Sequence, residues 1–111
     1  ESTFSEDLPD GPELQGELDR IALGVAQRLA AHELHARTIA LKLRYSDFRT
    51  IGRQTTLRTP TDDPEEIRRA AEALLAEVVR PGDHFRLLGI QCANLSRGAD
   101  VVQLTLWAGP H

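Results

Sequence analysis

Methionine is absent from the 111 residues, cysteine occurs once, and tyrosine and tryptophan occur once each. With Cys92 alone there is no internal disulfide, which fits a reducing, cytoplasmic setting. Aromatic residues make up 5% of the chain, so aliphatic side chains must build the core. No apolar run approaches the roughly 18 residues that span a membrane. The first twenty residues are too acidic and polar for a secretory signal. A chain that opens at Glu1 with no methionine reads as a piece of a longer protein. No glycine-rich loop joins a strand to a helix, which removes the usual phosphate-binding turn of nucleotide enzymes. His32, His35, His84 and His111 are scattered and lack metal-ligand spacing. No catalytic residue, metal or cofactor is therefore expected within these residues.

What is present suits one globular domain: 41% hydrophobic and 27% charged residues. The net charge of −4 argues against a nucleic-acid partner, but its distribution is uneven. Residues 35–59 hold Arg37, Lys42, Arg44, Arg49, Arg53 and Arg58 against Asp47 alone, a local charge of +5. Residues 10–34 and 61–80 each sum to −3. A basic middle between acidic flanks makes a directional field.

The hydrophobic period changes along the chain. Residues 2–7 alternate and read as a short edge strand. Leu14, Leu18, Ile21, Val25 and Leu29 recur at helical spacing behind Pro12, giving a helix over 12–32. Ile39, Leu41, Leu43 and Tyr45 then alternate with Thr38, Ala40, Lys42 and Arg44, a strand with one face on a core. A turn at 46–48 leads to a second strand whose alternation is poor, because Ile51 and Leu57 share parity with Arg53 and Thr55. A bulge near Gly52 would repair it. Asp63, Pro64 and Glu66 open a second helix with the stripe Ile67, Ala71, Leu74 and Val78. Residues 84–95 form the last strand, with Leu88, Ile90 and Cys92 inward and Leu87, Gly89, Gln91 and Ala93 outward. The expected fold is α+β: β-α-β-β-α-β, a four-stranded sheet with two helices on one face and the other face open.

On this reading Cys92 is a small core hydrophobe. The open face carries Thr3, Ser5, Lys42, Arg44, Arg53 and Gln91 around Gly89. Hydroxyls, amides, guanidinium groups and bare backbone suit phosphate oxygens better than base edges. The other reading is a solvated sheet face. The run "VVQLTLW" at 101–107 also has two readings, a further strand or a peptide that a partner buries.

"ESTFSEDL", "ARTIALKLRYSDFRTIGRQTTL" and "FRLLGIQCANL", in this order around two helices, resemble the little finger domain of the DinB branch of Y-family translesion polymerases, the bacterial DNA polymerase IV group. The resemblance implies a domain over 1–96 whose sheet lies along primer–template DNA and holds phosphates, with a tail over 97–111. Thr3, Ser5, Arg53, Arg86, Leu87, Gly89 and Gln91 fall in the segments that do this. It also implies that Gln103, Leu104, Leu106 and Trp107 form a sliding-clamp-binding peptide rather than an internal strand. Two magnesium ions would belong to the catalytic palm elsewhere in the parent polymerase, and the domain is expected to be a monomer. A catalytically silent adaptor of the same family and an α+β RNA-binding module are the alternatives.

Overall fold

The structure is a computed structural model that describes residues 2–97 and the backbone of residues 100–108. Seven elements follow one another: β1 (Ser2–Pro9), α1 (Pro12–Ala31), β2 (His35–Tyr45), β3 (Thr50–Thr61), α2 (Pro64–Val78), β4 (His84–Arg97) and β5 (Asp100–Ala108).

Both helices begin where a proline's missing N–H costs nothing. In α1 the Gly11 carbonyl accepts the Gln15 N–H at 3.0 Å. In α2 the Asp63 carboxylate accepts the Glu65 N–H at 3.1 Å, one residue earlier than the capping box around Glu66 would place the bond. The helical stripe of α1 is buried throughout, and so is that of α2. The stripes pack on Ile39, Leu41, Leu43, Tyr45, Leu88, Ile90 and Cys92, the inner face of β2 and β4, as one hydrophobic cluster. Burial pushes the Cys92 thiol up to about 12, so it sits in the core as a neutral thiol.

The sheet is antiparallel, in the order β1-β4-β2-β3, so β4 and β2 are central and β3 is an edge. The β-α-β-β-α-β order and the two faces are as the periodicity predicts. Two features differ. First, β4 is 14 residues long, and β2 lines one of its sides. The other side is shared: β1 pairs with it over residues 84–88, and β5 takes over from Ile90 to Arg97. A fifth strand thus continues the edge that β1 leaves bare, in the segment expected as a tail. An unpaired edge of eight residues would leave half of its backbone groups without a ladder partner.

Second, there is no bulge near Gly52. The β2–β3 register runs without a break from Arg44↔Thr50 to Thr38↔Thr56, and the irregularity lies beyond, before Ala36↔Thr61. The poor alternation of β3 is therefore real. As an edge strand its helix side is only partly covered, so Arg53 and Thr55 are tolerated there beside Ile51 and Leu57.

Candidate functional site

Residues opposite each other in an antiparallel ladder share a face. The register therefore fixes the open face. Thr38, Ala40, Lys42 and Arg44 of β2 lie opposite Thr56, Gln54, Gly52 and Thr50 of β3. On their other side they lie opposite Ala93, Gln91, Gly89 and Leu87 of β4. Thr3 of β1 is opposite Leu87, and Ser5 farther along β1 is exposed. The structure thus gathers Thr3, Lys42, Arg44, Leu87, Gly89 and Gln91 on one surface.

Arg53 differs in part from the expectation. It lies opposite Leu41, whose side chain is in the core, so it is rooted on the helix side of β3, yet from this edge strand it still lines the hollow over Lys42 and Gly52. Its guanidinium turns back on the strand, donating to the Gly52 carbonyl at 2.9 Å. Leu87 and Gly89 are on the expected face but buried, Leu87 at 4% exposure. The bare backbone expected at Gly89 is found instead at Gly52, directly across from Lys42 and exposed. A Cβ at Gly52 would meet nothing nearer than the Leu41 carbonyl oxygen at 3.8 Å. Alternation counted from Ile51 points to Gly52, Gln54 and Thr56, and only the assumed bulge hid that signal.

A hollow of about 460 Å³ lies over this spot, lined by Ala40, Lys42, Thr50, Gly52, Arg53, Gln54 and Gln91 among others. A second, of about 500 Å³, lies at the far end of the same hairpin, between Arg37, Thr56, Arg58 and Asn94. The pairs Ala40↔Gln54 and Thr38↔Thr56 are successive on this face, so the two hollows follow one another along the hairpin as a shallow trough. Arg44 donates through Nε to the Thr50 hydroxyl at 3.1 Å, which fixes its planar fork at one end. Arg37 donates through Nε to the Leu57 carbonyl at 3.0 Å at the other. Asn94 donates to the buried Thr38 hydroxyl at 2.5 Å, tying β4 to the trough floor. Arg86 is the extra residue in β4 between the pairs Tyr45↔Phe85 and Arg44↔Leu87, and its Nε lies 3.5 Å from Asp7.

The opposite side is acidic. Glu65 and Glu72 of α2 pair with Arg68, which also lies 3.8 Å from Asp19 of α1. Trough and helices thus face apart with opposite sign. Fixed guanidinium forks, hydroxyls, amides and one bare strand position can hold a chain of phosphates without reading bases. Among the described residues no three His, Cys, Asp or Glu side chains group as metal ligands, and no helix is long and apolar enough to cross a membrane.

Gln103, Leu104, Leu106 and Trp107 fall in β5, where the backbone alone is described. Leu106 is opposite Cys92 and Trp107 opposite Gln91, while residues 103 and 104 fall in a register shift between Ala93↔Thr105 and Leu95↔Val102. His111 lies outside the described residues.

Comparison with known proteins places the chain in a family. The family described as the impB/mucB/samB family C-terminal domain matches residues 1–106. A DNA polymerase IV of Methanoculleus marisnigri is 43% identical over 98 residues, covering 88% of this chain and 27% of that protein. A DNA polymerase IV of Streptomyces coelicolor is 43% identical over 108 residues, 97% of this chain and 22% of that one. The chain thus spans only about a quarter of the length of these relatives. A solved complex of a beta-clamp processivity factor with the little finger domain of PolIV superposes with a TM-score of 0.65 at 21% identity, over 93% of this chain and 84% of that one, a likeness of fold.

Proposed function

The chain belongs to the impB/mucB/samB family, as its C-terminal domain, and on that premise we propose that it grips primer–template DNA by the backbone and tethers a Y-family translesion polymerase to its sliding clamp. The observation that carries the DNA part is the trough: Lys42, Arg44, Thr50, Gly52, Gln54 and Gln91 on one open face, with acidic helices behind. Opposite signs on opposite sides orient the domain toward a polyanion even though the whole chain is acidic. Nucleotidyl transfer and its two magnesium ions would rest on carboxylates outside these residues, and the work would be done in the cytoplasm by a monomeric domain.

The test is a duplex titration of the 111-residue chain across a range of salt. With about four cationic groups along the trough, log K should fall against log salt with a slope of about −3 to −4. Lys42→Ala and Arg44→Ala should each weaken binding alike for unrelated sequences and flatten that slope by about 1. Arg53→Ala, rooted on the helix side of β3 with its guanidinium folded onto the Gly52 carbonyl, should cost less than Arg44→Ala. Strong preference between two duplexes of equal length, or a larger loss from Arg53 than from Arg44, would overturn this reading.

The clamp part rests on the residues Gln103-Leu104-Thr105-Leu106-Trp107, the glutamine-leucine-polar-leucine-aromatic order of the clamp-binding peptides in the family that this chain resembles. The neighbour of like fold was solved with a beta-clamp processivity factor. A short extended segment with aliphatic and aromatic anchors suits a hydrophobic pocket on a partner. Thr105, Leu106 and Trp107 of this run pair with β4 as part of β5. We infer that the segment leaves the sheet edge before the clamp takes it, so that β4 and the clamp compete for it.

A further inference from the structure

The β2–β3 hairpin closes through Ser46, Asp47 and Phe48. The Tyr45 N–H donates to the Arg49 carbonyl at 2.8 Å, and the Phe48 N–H donates to the Tyr45 carbonyl at 3.0 Å. Such three-residue loops end on a residue in the left-handed region, where glycine is favoured because it has no Cβ. Here that residue is Phe48, with φ 71. Its side chain is 64% exposed and lies outside the hydrophobic cluster. Neither the backbone nor the core accounts for an aromatic at this position.

What the ring touches is Arg86, whose guanidinium carbon sits 4.4 Å from the ring centroid. Arg86 has its own anchor in Asp7, and it occupies the β4 irregularity next to Arg44, at the hairpin end of the trough. Its Nε is buried without a hydrogen bond, so the stack and the ion pair are what hold it. The loop beneath is braced as well. Asp47 takes the Arg49 backbone N–H at 3.1 Å and its Nε at 2.9 Å, and Arg49 in turn lies over the Tyr45 ring at 4.6 Å. The Arg49 backbone N–H, then its side chain, hold the Asp47 carboxyl below the usual carboxylate range. The result is a braced aromatic ring with a cation stacked on it and most of its surface exposed.

We propose that Phe48 and Arg86 form a stacking site for an unpaired nucleobase at the end of the DNA-gripping face. This rests on the reading of the trough as a DNA-backbone site. Paired bases inside a duplex have both faces covered by their neighbours, so away from a duplex end a base that stacks on Phe48 comes from a single-stranded extension. Stacking on an aromatic ring tolerates every base, which agrees with a trough that reads no sequence. The Arg86 guanidinium behind the ring adds a positive charge close to the nucleotide's own phosphate.

The test compares a blunt duplex with the same duplex carrying a ten-nucleotide single-stranded extension, at fixed salt, using the 111-residue chain. The extension should raise affinity about fivefold or more. Phe48→Gly suits the left-handed backbone, so its thermal melt should stay at or above that of the parent. It should erase the gain from the extension and leave blunt-duplex affinity and salt slope as they were. Phe48→Trp should keep the gain. If the extension adds nothing in the parent, or if its gain survives in Phe48→Gly, the stacking site is wrong. If the blunt duplex itself is not bound, the failure lies with the trough.

Discussion

Leu43→Ala and Ile90→Ala should each lower the free energy of unfolding by about 2–5 kcal/mol. Leu43 is 1% exposed and Ile90 0%, and they stand on adjacent inner rows of β2 and β4, where Leu43 faces Leu88 and Leu41 faces Ile90. The helical stripes close over these rows, so truncation removes apolar contact and leaves a cavity that rigid neighbours cannot fill. A loss of that size is a large share of the stability of a small domain. Leu87→Ala is the informative comparison. Leu87 sits on the open face between Thr3 and Arg44, outside the cluster under the helices, yet it is only 4% exposed. Water can enter the space that its side chain leaves, so the cavity penalty largely disappears and about 1–2 kcal/mol should remain. Urea midpoints of the three variants decide the matter. Equal losses would mean that the two faces of β4 are not energetically distinct.

The inner face could be read from periodicity because it is buried by elements that themselves repeat. Ile39, Leu41, Leu43 and Tyr45 alternate without a break, and a strand covered on one side by helices has no other way to satisfy that pattern. At β3 the same reasoning misplaced Arg53. An edge strand is only half covered, so its sequence is under weaker constraint, and an arginine on the helix side can reach solvent past the helix layer. The bulge assumed near Gly52 placed Arg53 squarely on the open face and kept Gly52 and Gln54 off it. Gly89 misled for a related reason. A glycine in a central strand offers bare backbone only when nothing covers it, and cover comes from tertiary packing that spacing does not encode. Phe48 gave no signal at all in the alternation, since its role depends on an arginine 38 positions away that a local irregularity of β4 delivers to it.

The segment from Gln103 to Trp107 should bind the clamp only when it is off the sheet, and a tether should show this. Ala93 and Thr105 are opposite each other in the β4–β5 register. Cross-strand partners have Cβ atoms about 4.5–5.5 Å apart, close enough for a disulfide after a small adjustment. Ala93→Cys with Thr105→Cys, in a Cys92→Ala background, should lock β5 in place on oxidation. Thr105 is the variable polar position of the peptide, so the reduced variant should bind the clamp like the parent. Oxidation should weaken clamp binding by at least about a hundredfold, and reductant should restore it, because a state that binds only when detached loses affinity in proportion to its population. Leu106→Ala with Trp107→Ala gives the complementary result. It should remove roughly 3 kcal/mol or more of clamp affinity, since short peptides concentrate their binding energy in a few apolar anchors. It should also lower the thermal melt by a few degrees, because these positions belong to a paired strand rather than to a free tail. Two failures are distinguishable. If the reduced variant and the parent both ignore the clamp, the peptide has been misassigned and β5 is only a strand. If the oxidised variant binds as well as the reduced one, the clamp takes the segment without detaching it, and competition between sheet edge and clamp does not exist.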